Sequence, residues 1–423
     1  MPQRDRIDSL DILRGLAILG ILLMNLPGFG TYYVAFFGNA PLAGWTPADQ
    51  LAWKGLEIFA EGTQRGLLQL LFGAGMILFT ARAMQPEGPV EVADRWFRRN
   101  LWLVAFGLLH VFVLLFPGDI LFIYGLAALL AFPFRRLSAR WLLVLGLAWT
   151  VVDGGRGLAD YLERRELQQQ VQAGEPAAIE SWAGLAQEFD IPQEALEGDR
   201  ELRLAPYPVF AEYARATWVE QRAKSLEVFF ISVPEALCGM LLGAALFKWG
   251  VVQGQRSRRF YLLLLLAGYA IALPLRWVEV VEHLRFDPAP RLVWFTEEIA
   301  RWAMTLGHLA AVHLLLGSRP GRRLLAPFKA VGRTAFSLYL MQSVVAGWLI
   351  FPGIGLGLFA QFGWAAMTGI ALAIMAAQVL LANLWLRLFA MGPLEWLWRS
   401  LVEWRRLPFA RAGAGGSAEG ATA

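Results

Sequence analysis

Two ionisable residues, His110 and Asp119, lie inside the apolar run GLLHVFVLLFPGDILFIYGLAALLAFP, residues 107–133. An imidazole takes and returns a proton near neutral pH, and a carboxylate can hold it in one orientation. The pair therefore suits general acid–base catalysis or acyl transfer. Exposing either group to lipid costs several kcal/mol, so each needs a partner or a water-filled space. Pro117-Gly118 breaks the run and Asp119 directly precedes the next apolar stretch. This predicts a tight helical hairpin with Asp119 at a helix N-cap. Capping alone accounts for Asp119 as well as chemistry does, because an N-cap aspartate satisfies orphan N–H groups and complements the helix dipole. For His110 the corresponding structural reading is a helix-packing residue bonded to a backbone carbonyl.

The elements that position this pair are membrane helices. Of 423 residues, 57% are hydrophobic and only 17% charged, where a soluble domain carries about 25% charged residues. A hydrocarbon core of ~30 Å needs ~20 apolar residues per helix. On that measure ten spans are expected, near residues 12–32, 64–84, 97–116, 120–134, 137–153, 226–248, 259–281, 299–317, 330–351 and 363–390. Arginine and lysine follow the even-numbered spans, as at Arg95, Arg98 and Arg99, at Arg135, Arg136 and Arg140, and from Arg319 to Arg333. The connection 352–364 has no charge. The positive-inside rule then places both termini in the cytoplasm.

The expected fold is all-α: a polytopic membrane protein of about ten helices, N-in and C-in. Residues 1–153 form a first membrane half of five helices, and 225–408 a second. Between them, 154–224 is an acidic, largely helical extracytoplasmic loop. Residues 409–423 are Gly/Ala/Ser-rich and expected to be disordered. Asp8, Asp11 and Arg14 interrupt any uncharged signal-peptide core. One cysteine, Cys238, excludes a disulfide framework. Because the basic residues are distributed by loop, the net charge of +4 is no sign of nucleic-acid binding.

Helix lengths refine the picture. Residues 101–116 make roughly 24 Å of helix and 120–134 make less, both short of the bilayer core. The hairpin tip is therefore expected below the outer surface, at the floor of a water-filled vestibule. His110 would lie in the outer half of the membrane, with Gly107 beside it admitting another helix. Asn25, Arg65, Glu235, Arg301, His308 and Gln342 are the other polar groups expected to line that cavity. On the cytoplasmic side, Asp11 and Arg14 share a helix face, and Arg333 joins a basic rim. Arginine forks there match phosphate geometry. His313 is expected at the inner surface and His283 in an outer loop without a role. The four histidines show no ligand spacing, so no metal site is expected.

The stretches RIDSLDILRGLAILGILLMN (6–25), QLLFGAGM (69–76), GDILFIYGL (118–126), VGRTAFSLYLMQS (331–343) and GPLEWLWR (392–399) resemble the YeiB-like family. These are bacterial inner-membrane proteins whose C-terminal half is a domain of unknown function, and the resemblance covers nearly the whole chain. The first stretch is also similar, more distantly, to transmembrane acyltransferases of the heparan-glucosaminide acetyltransferase and polysaccharide O-acyltransferase types. That likeness implies acyl transfer across the bacterial cytoplasmic membrane. Cytoplasmic acyl-CoA would be the co-substrate, with no bound cofactor, and an extracytoplasmic glycan or small molecule the acceptor. Asn25 stands where the O-acyltransferases place a catalytic histidine, so His110 with Asp119 would take that part. Two other functions fit the same residues: a small-molecule or proton-coupled transporter using Glu235, His110 and Asp119, and a non-catalytic binding or regulatory protein.

Overall fold

The computed structural model describes residues 8–81, 91–187, 189–224 and 226–410. The described chain is helical apart from turns and one isolated bridge between Phe389 and Ala410. Most of the tail expected to be disordered lies outside the described residues, from 411 onward.

The chain opens with α1 (Asp8–Gly30), α2 (Tyr33–Phe37), α3 (Pro47–Phe59), α4 (Thr63–Thr80), α5 (Glu91–Phe112) and α6 (Leu121–Ala131). Next, α7 (Ala139–Gly146) and α8 (Ala148–Gln172) join into one rod. It is followed by α9 (Pro176–Gln187), α10 (Gln193–Leu204) and α11 (Tyr207–Trp218). The second half holds α12 (Val233–Lys248), α13 (Arg258–His283), α14 (Val293–Leu316), α15 (Arg319–Arg333), α16 (Ala335–Val344), α17 (Trp364–Leu388) and α18 (Pro393–Val402).

Six of these helical stretches are long and apolar enough to cross a bilayer: α1, the α7–α8 rod, Val228–Lys248, α13, α14 and α17. The other four expected segments are occupied by α4, α5, α6 and α16, which are shorter or begin in charged residues. Burial sorts the helices into a centre and a ring. α1 and α12 are mostly covered, whereas α13, α17 and the rod turn Leu263, Leu266, Leu380, Leu388 and Val151 outward. So broad an apolar girdle is a lipid-facing surface. Inside it, small residues set the helix spacing. A Cβ on Gly73 of α4 would overlap the Met240 carbonyl of α12, and one on Gly15 of α1 the Phe328 carbonyl of α15.

Two helices differ in extent from the expected segments. The fifth span was placed at 137–153, and α8 carries helix beyond it to Gln172. The charge at Asp153 and beyond changes what the surface faces, not the backbone, whose hydrogen bonds close within the helix. The ninth span, 330–351, splits at Thr334, where the backbone leaves helical angles. α16 restarts there and turns into a π-helix over Val345–Ile350. Its orphan N–H groups are met from α18: Glu395 accepts from the amides of Phe336 and Ser337. This bond joins two of the sequence motifs, VGRTAFSLYLMQS and GPLEWLWR. α3 was not anticipated, and it starts in a Thr46/Asp49 capping box. From the helical segment 154–224, which caps the hairpin, Phe210 and Ala214 of α11 pack against Leu115 at the tip of the α5–α6 turn.

Candidate functional site

The hairpin brings the opening pair together. A Cβ on Gly107 would overlap the amide of Phe122, so α5 and α6 pack backbone to backbone. Between them the chain turns through Leu115 with φ of 59°. At the far side of the turn, one Asp119 oxygen accepts from Phe122 N at 2.7 Å, which is the expected cap. Its other oxygen meets His110 Nδ1 at 2.7 Å. The two readings of Asp119 therefore hold at once, one on each oxygen. His110 Nε2 meets the Ser343 hydroxyl of α16, also at 2.7 Å. All three residues are buried, the imidazole completely. A carboxylate only accepts, so a neutral imidazole carries its proton on Nδ1 and accepts from Ser343 at Nε2. The imidazole packs edge-on against Tyr339 at 5.1 Å and tilted against Phe116 at 5.2 Å.

Beside this trio is a cavity of about 450 Å³. Its lining combines apolar side chains, among them Ile21, Met24, Phe29, Phe36, Phe116 and Phe359, with polar ones, among them Asn25, Glu61, Gln64, Arg65, Gln69 and Glu235. The hairpin tip from Leu115 to Ile120 forms part of the wall, and Arg203, Phe210 and Tyr213 from the cap form another. His110 itself does not reach this space, contrary to the expectation that the imidazole faces a wet hollow. Asp119 does, while Phe116, stacked on Phe29 at 4.6 Å, stands in front of the ring.

Beside the cavity an ion network crosses the bundle. Arg65, its side chain 40% exposed to the cavity, lies 3.3 Å from Glu235. Glu235 also accepts from Gln69 at 3.1 Å and lies 3.4 Å from Arg301. Arg301 is fully buried behind this pair rather than on the wall. It donates to Glu298 at 2.8 and 2.6 Å and to Gln69 at 3.1 Å. A buried guanidinium is tolerated only with its donors met in this way. A second cleft, of about 910 Å³ between α8 and α14, meets the first at Arg65, Ile231 and Glu235.

The remaining expected residues are dispersed. Asn25, Arg65 and Glu235 line the cavity, whereas His308 and Gln342 do not. His308 bonds Tyr269 and the Phe59 carbonyl. Gln342 donates to the Ile18 carbonyl and to Gln378 and locks three helices together. On the opposite end, Arg14 pairs with Asp11 at 2.9 Å and Arg333 donates to the Ala390 carbonyl. His313 is buried, not at the surface: it packs on Tyr261 and bonds the Val252 carbonyl.

His283 ends α13 instead of lying in a loop, and it pairs with Glu57 of α3 at 3.3 Å. With Glu279 these make the one group, among the described residues, whose ligand atoms all lie within 4.8 Å of one another. One imidazole and two carboxylates are a donor set for Zn²⁺ or Mn²⁺. The i,i+4 spacing of Glu279 and His283 was the available sequence signal, and the absence of ligand spacing expected above overlooked it. Arg276 holds Glu279 at 2.5 Å and reaches the Glu61 carbonyl at 2.8 Å. Burial, with Glu57 nearby, pushes the Glu61 carboxyl up to about 6 against the pull of Arg276.

An all-helical membrane protein with an amphiphilic cavity is the class that the fold and site define. Residues 246–405 match the family model described as a protein of unknown function, DUF418. Over 417 residues, 96% of each chain, the sequence is 31% identical to the uncharacterized protein YxaH of Bacillus subtilis. It is 30% identical over 409 residues to the uncharacterized protein YeiB of Escherichia coli, covering 93% of this chain and 95% of that one. A 39.9 kDa protein encoded in the amylase 3′ region of Bacillus acidopullulyticus is 26% identical over 406 residues. The chain belongs to the YeiB-like family.

Proposed function

We propose that this protein is an acyltransferase of the bacterial cytoplasmic membrane, passing an acyl group from cytoplasmic acyl-CoA to an extracytoplasmic acceptor. The observation that carries the reading is the His110–Asp119 pair, 2.7 Å apart beside a cavity lined by both aromatic and charged side chains. An acyl chain suits the aromatic side chains of the lining, and a polar acceptor suits the groups around Arg65 and Glu235. Asp119 fixes Nδ1–H, and Nε2 acts as the base that draws a proton from an attacking hydroxyl. Arg14 and Arg333, with the adjoining arginines, are candidates for the CoA phosphates, with Asp11 holding Arg14 in place.

Purified protein is expected to bind acyl-CoA, seen as a rise in melting temperature, and to transfer the acyl group. His110→Ala is expected to abolish transfer while leaving the protein folded. Full transfer by that variant removes the mechanism.

A second reading has one observation in its favour. Glu235 lies where the two clefts meet, within reach of Arg65 and Arg301, a position suited to a proton-coupled carrier. Solute uptake into liposomes that is lost in Glu235→Gln, with no acyl transfer detected, would decide for transport.

A further inference from the structure

We infer that Ser343 is a nucleophile that carries the acyl group as a covalent ester, so that transfer proceeds in two displacements. This rests on the acyltransferase reading and adds a residue and an intermediate to it.

The arrangement is linear: Asp119 to His110 Nδ1, then His110 Nε2 to the Ser343 hydroxyl, 2.7 Å at each link. A nucleophile held by a base that is itself held by a third group is the geometry that activates a serine. Several helical hydroxyls in this chain bond their own helix, whereas Ser337 of α16 donates to Glu395 of α18. Thr80, Thr305, Thr334 and Thr368 each donate to the carbonyl four residues earlier in their own helix, as buried helical hydroxyls commonly do. Ser343, in the last turn of α16, turns to His110 on another helix instead.

Its position supports the same role. Directly after it the helix changes from α to π at Val345, a local widening frequent at functional sites. One turn on, Gly347 lines the cavity, and the Phe29 ring lies 2.8 Å from where a Cβ on Gly347 would sit. The Phe116 ring packs against the imidazole and also lines the cavity, which His110 itself does not. Its neighbour Leu115 holds a left-handed backbone angle.

The chemistry balances within these groups. Ser343 Oγ attacks the thioester carbonyl carbon as its proton passes to His110 Nε2. The adduct collapses with C–S cleavage, and the departing CoA thiolate takes that proton. An acceptor hydroxyl then attacks the Ser343 ester and gives its proton to Nε2. The proton returns to Ser343 Oγ as the ester C–O bond breaks. No other reactant is needed, and the donor can leave before the acceptor arrives.

The test uses full-length protein in detergent with two probes: a fluorophosphonate, which needs no acyl donor, and radiolabelled acetyl-CoA with a long-chain acyl-CoA in parallel. Fluorophosphonate is expected to label Ser343, as located by peptide mass spectrometry. Ser343→Ala should remove the label, His110→Gln should slow it by roughly 100-fold, and Phe116→Ala should speed it. Labelling at Ser343 in Phe116→Ala alone also supports the inference, with the ring as the barrier. Absence of label at Ser343 in both wild type and Phe116→Ala overturns it. So does acyl transfer undiminished in Ser343→Ala; the acyltransferase reading would then stand with His110 acting on the acceptor directly. Labelling without an adduct from any acyl-CoA keeps the nucleophile and removes CoA as the donor. Ser343→Cys is a second variant should Ser343→Ala misfold: alkylation of the introduced thiol by iodoacetamide should depend on His110, and alkylation indifferent to His110→Gln counts against the proposal.

Discussion

Asp119→Asn separates the stability of the hairpin from its chemistry. In the native site both carboxylate oxygens accept, one from Phe122 N and one from His110 Nδ1, each at 2.7 Å. Asparagine is close in size but offers one acceptor and one donor. If its oxygen faces His110, its NH₂ meets Phe122 N, and a buried amide loses its partner at a cost of about 1–3 kcal/mol. If its oxygen faces Phe122 N, its NH₂ meets Nδ1. The imidazole then accepts there, carries its proton on Nε2 and donates to Ser343. In that state every bond is kept, and what is lost is the extra strength of charge-assisted bonds, about 1 kcal/mol.

The second arrangement is the cheaper one, so the expected stability loss is about 1 kcal/mol and at most about 3. For a chain of 423 residues the unfolding entropy is near 0.9 kcal/mol per degree. The melting temperature should therefore fall by only about 1–3 °C. The rate should fall far more, by about 10²–10⁴, because a protonated Nε2 cannot accept from Ser343. The tautomer can be read from ¹⁵N-histidine NMR, in which four histidines give a spectrum simple enough to assign by single substitutions. Wild type should show His110 as the Nδ1–H form and Asp119→Asn as the Nε2–H form. A variant that keeps Nδ1–H, with unchanged melting and activity, would refute the assignment of Asp119 as the group that sets the proton.

Two further predictions concern the scaffold around the cavity. In the motif QLLFGAGM, Gly73→Ala should lose most of the folded protein on size exclusion, because its Cβ would overlap the Met240 carbonyl. Gly75→Ala, with nothing within 4 Å, should be tolerated or slightly stabilising. The Glu61 carboxyl is raised from an ordinary 4.5 to about 6, so the folded state holds its proton more tightly than the unfolded state does. Its contribution to stability therefore declines as pH rises from about 4.5 through 6, by at most ~2 kcal/mol. Glu61→Gln should melt higher than wild type at pH 7.5 and no higher at pH 4.5. A constant difference across that range would contradict the assignment.

Much of this architecture was legible in residue order. Apolar length located the long helices, and Pro117-Gly118 with Asp119 marked the hairpin. Gly107 marked the close crossing that brings a carboxylate to an imidazole. Ser343 was not legible. Within VGRTAFSLYLMQS a helical serine reads as a packing residue that bonds its own backbone, and nothing in the order of residues ties it to His110 on a distant helix. Arg301 was expected to face water, because a guanidinium at membrane depth ordinarily has to. Three partners at once, Glu298, Gln69 and Glu235, allow it to be dry. The Glu279–His283 spacing was visible, but its meaning depended on Glu57, which arrives on a helix that short amphipathic sequence did not announce. That one helix runs on past the fifth expected span was not legible, because hydropathy reports the medium beside a helix, whereas the helix ends only where its hydrogen bonds do.

The α5–α6 hairpin lies upstream of the matched segment 246–405, and Ser343 lies within it. The trio is thus a joint holding of both halves of the polypeptide. A C-terminal fragment of the kind that the family description delimits would inherit the hydroxyl without its imidazole and carboxylate. During synthesis the site has no existence until the ninth expected crossing has emerged and docked against a hairpin made more than two hundred residues earlier. An incomplete chain in the membrane would therefore be inert, whatever else it could still bind.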